Sequence, residues 1–144
     1  MALYIDSSFL LNIFYSEDHF QKYLEIFNSN DKKFSSILLE IESFRSLNLF
    51  YNVNKKSLDK AWLTESENIL NELLSQITFK NLDFDIQTEI RKNRNILELK
   101  SLDATHLATA IHFRRMISDD LIICTLDDKL RKVSKKFEFK ILPK

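Results

Sequence analysis

Three aspartates stand where an apolar run ends or a helical pattern begins: Asp6 follows the run 2–5, Asp127 follows the run 121–124, and Asp103 opens a helical segment. Ligands of open α/β sheets bind beyond the carboxyl ends of the strands, so Asp6 and Asp127 are expected at that rim. Several carboxylates that meet there repel each other unless a divalent cation holds them. Mg²⁺ suits such a group because it prefers oxygen ligands and keeps several waters.

Each aspartate also has a purely structural interpretation as part of a helix start. Asp103 and Asp127 would lie in first helical turns, where negative charge complements the helix dipole and Ser101 or Thr125 would cap. Asp6 precedes two serines that could cap the first helix. This interpretation suits Asp6 least well, because a carboxylate beside a buried strand loses water and then needs a partner.

A fourth acid could come from the segment 35–45, which carries Glu40 and Glu42. At about 100° per residue, the two glutamates point to nearly opposite sides of a helix. Both border its apolar arc, so periodicity does not choose between them. Glu42 also has a simpler interpretation, a surface ion pair with Arg45 one turn further on, which would contribute a few tenths of a kcal/mol.

The composition excludes several kinds of site. The chain of 144 residues has no glycine, so it cannot form the glycine-rich phosphate loops of nucleotide-binding proteins. Its 21 Lys and Arg residues balance 21 Asp and Glu residues, which argues against coating nucleic acid through bulk positive charge. Cys124 is the only cysteine, which excludes an intrachain disulfide and a thiolate metal cluster, and its apolar neighbours indicate a buried position.

The elements that must position the acids alternate along the chain. Strands are predicted at 2–5, 34–37, 77–82, 121–125 and 138–142. Helices are predicted at 7–15, 18–28, from the second strand to about 52, 57–75 with Ser57 as its cap, 86–97, 102–116 and 127–134. This alternation predicts one α/β domain over 1–144, with a mostly parallel sheet and helices on both faces, but it does not predict the strand order.

The beginning of the chain bears on where the protein acts. Residues 1–5 lack the basic segment and the long apolar stretch of a signal peptide. No run approaches the ~20 apolar residues of a membrane span. We therefore expect a cytoplasmic protein that does not contact a membrane.

Four segments resemble the motifs of PIN-domain proteins, and they occur in that family's order. They are 4–11 (YIDSSFLL), 36–47 (SILLEIESFRSL), 99–110 (LKSLDATHLATA) and 124–130 (CTLDDKL). Together they span the chain, whose length is also similar to that of the VapC-type toxins of this family. The middle of the chain, 54–96, matches only in general character.

The resemblance implies a fold, an activity and partners. The fold would be a PIN-like three-layer α/β/α domain with about five short strands, and the activity would be a Mg²⁺-dependent ribonuclease in which Mn²⁺ could substitute. Asp6, Glu42, Asp103 and Asp127 would form the acidic site and bind the metal, with the alignment selecting Glu42 rather than Glu40. VapC-type proteins commonly form homodimers, and a small antitoxin neutralises them, so the resemblance implies both partners as well as RNA.

Further residues are candidates for contacts near this site. Thr125 could contact water or phosphate, although helix capping is the favoured interpretation, and Arg45 is predicted near the acidic rim, where it could bind phosphate. Basic residues cluster in 129–136 and 91–94, as solvated faces or as a track for the RNA backbone. His106 follows the acidic motif and is expected to pack or bond beside it.

Two other function classes stay open. The first is a non-catalytic PIN-like module that binds RNA or protein, which calorimetric titration with a divalent metal would distinguish from a nuclease. The second is a phosphotransfer enzyme with an aspartyl-phosphate after the first strand. The second is disfavoured, because haloacid-type phosphatases need another acid two residues after the nucleophile, where this chain has Ser8.

Overall fold

In the computed structural model, which describes residues 1–144, five strands form one sheet in which every neighbouring pair is parallel. The strands are β1 Ala2–Ile5, β2 Lys33–Ser36, β3 Thr78–Lys80, β4 Leu121–Cys124 and β5 Lys140–Leu142. Their spatial order is β3-β2-β1-β4-β5, so the predicted sheet is confirmed and is parallel throughout. Because β1 is central, Asp6 emerges at the middle of the carboxyl edge.

Seven α-helices and one 3₁₀ helix connect the strands. They are α1 Ser7–Phe14, α2 Phe20–Asn28, α3 Ile37–Val53, α4 Lys60–Leu74, α5 Phe84–Lys92, the 3₁₀ helix Arg94–Glu98, α6 Ser101–Met116 and α7 Asp128–Lys136. None of these helices combines the length and the apolar composition needed to span a bilayer.

The strands divide the hydrophobic core into two halves because successive side chains point to opposite faces of the sheet. Tyr4 and Ile123 pack on one face with α5, α6 and α7. Leu3, Ile5 and Cys124 pack on the other with the helices α1 to α4. A fully apolar parallel strand needs cover on both faces, and the predicted three layers are confirmed. Cys124 is buried as expected, and burial raises the pKa of its thiol to about 12.

Two helices in the middle of the chain differ from the prediction for local reasons. The predicted helix 86–97 is interrupted at Asn93, whose side-chain amide donates to the carbonyl of Glu89 at 2.8 Å. Ser57 was the expected cap of α4, but it lies in the turn before that helix. Asp59 is the cap, because its carboxylate accepts the backbone N–H of the third helical residue at 2.8 Å.

Three turns adopt a left-handed backbone, at Ser16 (φ 52°), His19 (φ 66°) and Glu138 (φ 62°). Glycine normally takes such positions because it has no Cβ, and in this glycine-free chain other residues take them. The turn at His19 explains why α2 begins at Phe20 and not near residue 18 as predicted.

Candidate acidic site

The structure brings the four predicted acids to the carboxyl edge of the sheet. Asp6 follows β1 and Asp127 follows the adjacent strand β4, while Glu42 lies on α3 directly after β2. Asp103 lies in the first turn of α6, close enough for the charges of the other three acids to act on its carboxyl group. Residues that are distant in sequence therefore form one acidic cluster.

Asp6 is almost completely buried, with 3% of its surface exposed, and its charge is satisfied by neighbouring donors. Its Oδ2 accepts hydrogen bonds from Ser8 Oγ at 2.6 Å, Thr125 Oγ1 at 2.7 Å and the Ser8 N–H at 3.3 Å. The predicted capping by serine is wrong, since Asp6 itself caps α1. Its other oxygen, Oδ1, accepts none of these bonds and lies 3.9 Å from Nε2 of His106.

Thr125 is fully buried, and its hydroxyl donates to Oδ2 of Asp6 and accepts the backbone N–H of Asp127 at 3.1 Å. It therefore supports the turn before α7 without being the cap of that helix, and its contact with water or phosphate stays a prediction. The cap of α7 is Asp127, whose Oδ1 accepts the N–H of Leu130 at 2.7 Å. The capping prediction for Ser101 is also wrong, because that residue is the first of α6 and no side chain caps this helix.

Asp103 is the acid whose charge is least compensated. It is half-buried, and none of the side-chain hydrogen bonds or ion pairs in its surroundings involves its carboxylate. Burial raises the pKa of Asp103, the charges of Asp127 and Asp6 raise it further, and the opposing effect of His106 is smaller. A carboxylate in this environment favours a bound cation or a proton.

Glu42, and not Glu40, joins the cluster. Its Oε1 lies 2.6 Å from Nε2 of His106, and its Oε2 accepts a hydrogen bond from Ser7 Oγ at 2.9 Å. Burial raises the pKa of Glu42, but the hydrogen bond and charge of His106, with the bond from Ser7, outweigh burial and leave it below its ordinary value. The suggested surface ion pair with Arg45 is therefore replaced by a contact with His106.

His106 connects the acidic cluster to the core. It is fully buried, and burial lowers its pKa, but the hydrogen bond to Glu42 and the charges of Asp6 and Glu42 raise it overall. Because a carboxylate only accepts, Nε2 carries the hydrogen in the bond to Glu42. The expectation that His106 bonds beside the site is confirmed.

Sequence reasoning missed Tyr4, which holds the other side of the His106 ring. The Tyr4 hydroxyl lies 2.9 Å from Nδ1 of His106 and accepts the backbone N–H of Ser36 at 3.2 Å. Within an apolar strand, Tyr4 resembles any other core residue. The available signal is that a buried tyrosine hydroxyl needs a hydrogen-bond partner.

The basic residues near the cluster differ in availability. Arg45 is exposed on α3, one turn beyond Glu42 and therefore on the same side of the helix. Arg131, from the predicted basic track, donates to the backbone carbonyls of Thr125 and Pro143 at 2.8 and 2.7 Å. Arg131 is thus occupied by backbone carbonyls, whereas the exposed Arg45 forms no side-chain hydrogen bond or ion pair.

The donor chemistry of the cluster fits a hard divalent cation. No group of three or more His, Cys, Asp or Glu side chains is arranged to hold a metal ion by itself. Mg²⁺ does not need such a cage, because proteins usually bind it through one or two carboxylates and leave several waters in place. Asp103 supplies uncompensated charge, and Asp127 uses only Oδ1 as a cap. Both are suitable ligands for Mg²⁺ or Mn²⁺.

Comparisons with known proteins agree with this architecture. A sequence profile of the PIN domain family matches residues 3–136, a range that includes all four acids. No curated protein matches the chain. The fold is similar to the crystal structure of VapBC2 from Rickettsia felis bound to a DNA fragment from their promoter, with a TM-score of 0.64 and 15% sequence identity over 98% of this chain and 97% of that chain. At that identity the likeness shows the fold alone.

Proposed function

Because this chain belongs to the PIN-domain family, we propose that it is a Mg²⁺-dependent endoribonuclease and the toxin of a toxin–antitoxin pair. The observation that carries this proposal is the acidic cluster at the carboxyl edge, in which the charge of Asp103 is uncompensated. Phosphodiester hydrolysis builds negative charge on the phosphate, so carboxylates serve that reaction through the cations that they bind.

Each acid has a proposed role in holding the ion. Asp6, Asp103 and Asp127 are the proposed direct ligands, and Glu42 binds directly or through water. Mn²⁺ also accepts oxygen ligands and would substitute for Mg²⁺. When bound, the ion supplies Lewis-acid chemistry, which polarises the phosphate and lowers the pKa of water.

The residues around the acids hold them in place before any ligand arrives. Ser8 and Thr125 orient one oxygen of Asp6, and Ser7 and His106 orient both oxygens of Glu42. Hydrogen bonds of this kind restrict side-chain rotation, so less conformational entropy is lost when a metal and RNA bind. The chain therefore contributes a preorganised anionic site.

The direct test is metal-dependent cleavage by the purified full chain. We expect single-stranded RNA to be cleaved in Mg²⁺ or Mn²⁺ and to remain intact in EDTA, with activity restored when Mg²⁺ is added back. Gel electrophoresis of end-labelled RNA measures both the rate and the cleavage position. Equal cleavage with and without EDTA would contradict the proposal.

Arg45 is proposed to bind a phosphate of the substrate. Replacing it by alanine should raise KM several-fold, leave kcat nearly unchanged, and reduce the dependence of binding on salt by about 0.7 in log–log slope, as expected for one lost phosphate contact on a single strand. Steady-state kinetics at several salt concentrations measures these quantities. Lys22→Ala, a substitution at an exposed residue of α2, is the matched control.

The toxin assignment predicts a neutralising partner. The solved VapBC2 structure from Rickettsia felis, in which the protein is bound to promoter DNA, supports a search for an antitoxin here. We propose a small antitoxin encoded next to this chain, and a homodimer of the chain itself. Induced expression of the wild type should arrest growth, Asp6→Asn should not, and co-expression of the neighbouring reading frame should restore growth. If both the wild type and Asp6→Asn arrest growth, the toxicity does not depend on the acidic site.

A non-catalytic RNA- or protein-binding module is the alternative. It is favoured by one observation, that no three side chains are arranged to hold a metal by themselves. Calorimetric titration of the full chain with Mg²⁺ and Mn²⁺ separates the two functions. Heat no larger than the dilution background would favour the binding module, and saturable binding that is lost in Asp103→Asn would favour the nuclease.

A further inference from the structure

We propose that a groove between α5 and the N-terminal part of α6 binds an unstacked base of the RNA strand that enters the acidic site. This inference rests on the proposed nuclease function and assigns a second binding site for the same substrate. The groove has a volume of about 530 Å³, within the range of ligand-binding pockets. Its walls include Phe84, Ile86, Gln87, Ile90, Arg91 and Thr105.

The groove lies on the same side of the molecule as the acids. It begins just beyond the carboxyl end of β3, where residues 82–84 lead into α5. On α6, Asp103 and Thr105 are about 200° apart, so the acid faces the cluster while Thr105 faces the groove. Leu102, which is exposed, lies between them on the helix surface. The two sites are therefore separated by roughly one helix diameter, about 10 Å, which one RNA strand can span.

The walls of the groove suit a base. Proteins that recognise single-stranded RNA stack unpaired bases on aromatic rings and hydrogen-bond to the base edges. Phe84 is 74% exposed at the start of α5, with its ring free for stacking, and Ile86 and Ile90 provide an apolar floor. The side-chain amide of Gln87 is exposed and offers one donor group and one acceptor to a base edge.

The charges around the groove identify the ligand as a polyanion. Four exposed cations near the groove form no ion pair. Arg91 lines the groove itself, and Lys92, Arg94 and Lys100 come shortly after it in the sequence. The two acids at the groove mouth share one cation, since Lys80 lies 2.6 Å from Asp83 and 2.9 Å from Asp85, so only one of their negative charges is left against the four cations. A second copy of the chain, related by a two-fold axis, would bring the same cations together and be repelled. A single strand of RNA suits this surface better, because its phosphates can contact the cations while its bases enter the groove.

Binding measurements in a protein that does not cleave test this inference. In an Asp103→Asn background, fluorescence anisotropy with short single-stranded oligonucleotides of A, C or U reports affinity. Phe84→Ala should weaken binding by about fivefold or more, as for loss of one stacked base. Arg91→Ala should reduce the salt slope by about 0.7. Gln87→Ala should narrow the affinity differences among the three oligonucleotides.

Matched controls make the outcome decisive. Val53→Ala removes another highly exposed apolar side chain, and Lys22→Ala another exposed cation, and both should bind RNA as the background does. If the groove variants bind like these controls while the wild type cleaves RNA, the groove inference falls and the nuclease function stands. If they lose binding although the wild type does not cleave, the groove stands and the nuclease function falls. A change of oligomeric state with unchanged RNA affinity would make the groove a protein interface and overturn the inference.

Discussion

Replacing Asp103 by asparagine should abolish RNA cleavage and also raise the thermal midpoint of unfolding. Loss of a residue that only supports a metal ligand typically costs about 10–100-fold in activity, so loss of a proposed ligand should exceed about a hundredfold. Stability should increase because asparagine removes a half-buried charge that repels Asp127 and Asp6. Cleavage assays and thermal denaturation of the same two proteins measure both effects.

The gain in stability should depend on pH in a defined direction. Because the pKa of Asp103 is raised in the folded protein, ionisation of this group disfavours the fold. That cost is absent below the ordinary carboxyl pKa of about 3.9 and is fully present above the raised value. The difference between Asp103→Asn and wild type should therefore be largest at neutral pH and vanish in acid. If the difference in stability between the two proteins is the same at every pH, it comes from packing and not from the charge of Asp103.

Asp6→Asn should lose cleavage to the same extent but with the opposite effect on stability. Oδ2 of Asp6 accepts bonds from Ser8 and Thr125, and bonds to a charged acceptor contribute about 1 kcal/mol more than neutral ones. We therefore expect a lower midpoint for this variant. Glu40→Gln, on the same helix as Glu42 but outside the cluster, should change neither quantity. Cleavage that survives both aspartate substitutions would contradict the proposed mechanism.

The effect of Mg²⁺ on the thermal midpoint should show whether the ion binds at the acidic cluster. An ion that binds only the folded protein raises the midpoint in proportion to its affinity and concentration. Mg²⁺ should raise the midpoint of wild type and have little effect on Asp103→Asn. An equal rise in both proteins would place the bound ion elsewhere on the molecule.

The parts of the fold that follow from local patterns were predictable. A parallel strand buried on both faces is a nearly continuous apolar run, as at 121–124, and helices follow from apolar spacing. The order of the strands was not predictable, because it depends on pairing between residues far apart in sequence. β1 pairs with β2 and β4, and not with the distant β5.

In the site, too, local patterns were not enough where a residue's role depends on contacts with distant parts of the chain. Periodicity could not choose between Glu40 and Glu42, because only contacts with other elements distinguish them. The family resemblance selected Glu42, and the structure places this residue against His106. The cap of α7 was assigned to Thr125 for a related reason. The residues around Thr125 form a typical helix start, but Asp127 is the cap, and the Thr125 hydroxyl donates to Asp6, 119 residues away.

His106→Ala should reduce both the stability and the activity of the protein. The ring is fully buried between Tyr4 and Glu42, so its loss leaves a cavity and removes one hydrogen-bond partner from each of these two residues. Losses of this kind cost about 2–5 kcal/mol in unfolding free energy. Activity should fall by about 10–100-fold, as for other residues that position metal ligands. Denaturant unfolding and single-turnover cleavage measure the two effects.

A conservative variant separates the positioning role of His106 from simple packing. Glutamine can place an amide N–H near the position of Nε2 and donate to Glu42, whereas alanine cannot. His106→Gln should therefore recover part of the cleavage rate and of the stabilisation by Mg²⁺. Tyr4→Phe is the matched control, because it removes the hydroxyl at Nδ1 and leaves the bond from Nε2 to Glu42 in place.

The comparison of these variants decides how the acidic cluster is held. If His106 acts by orienting Glu42, Tyr4→Phe should lose stability but retain most of the activity, and the two His106 variants should differ in their response to Mg²⁺. If His106 only fills space, activity should follow stability in all three proteins, and glutamine should offer no advantage. The first result would show that a buried hydrogen-bond chain, which links β1 to α6 and α3, sets the geometry of the metal ligands.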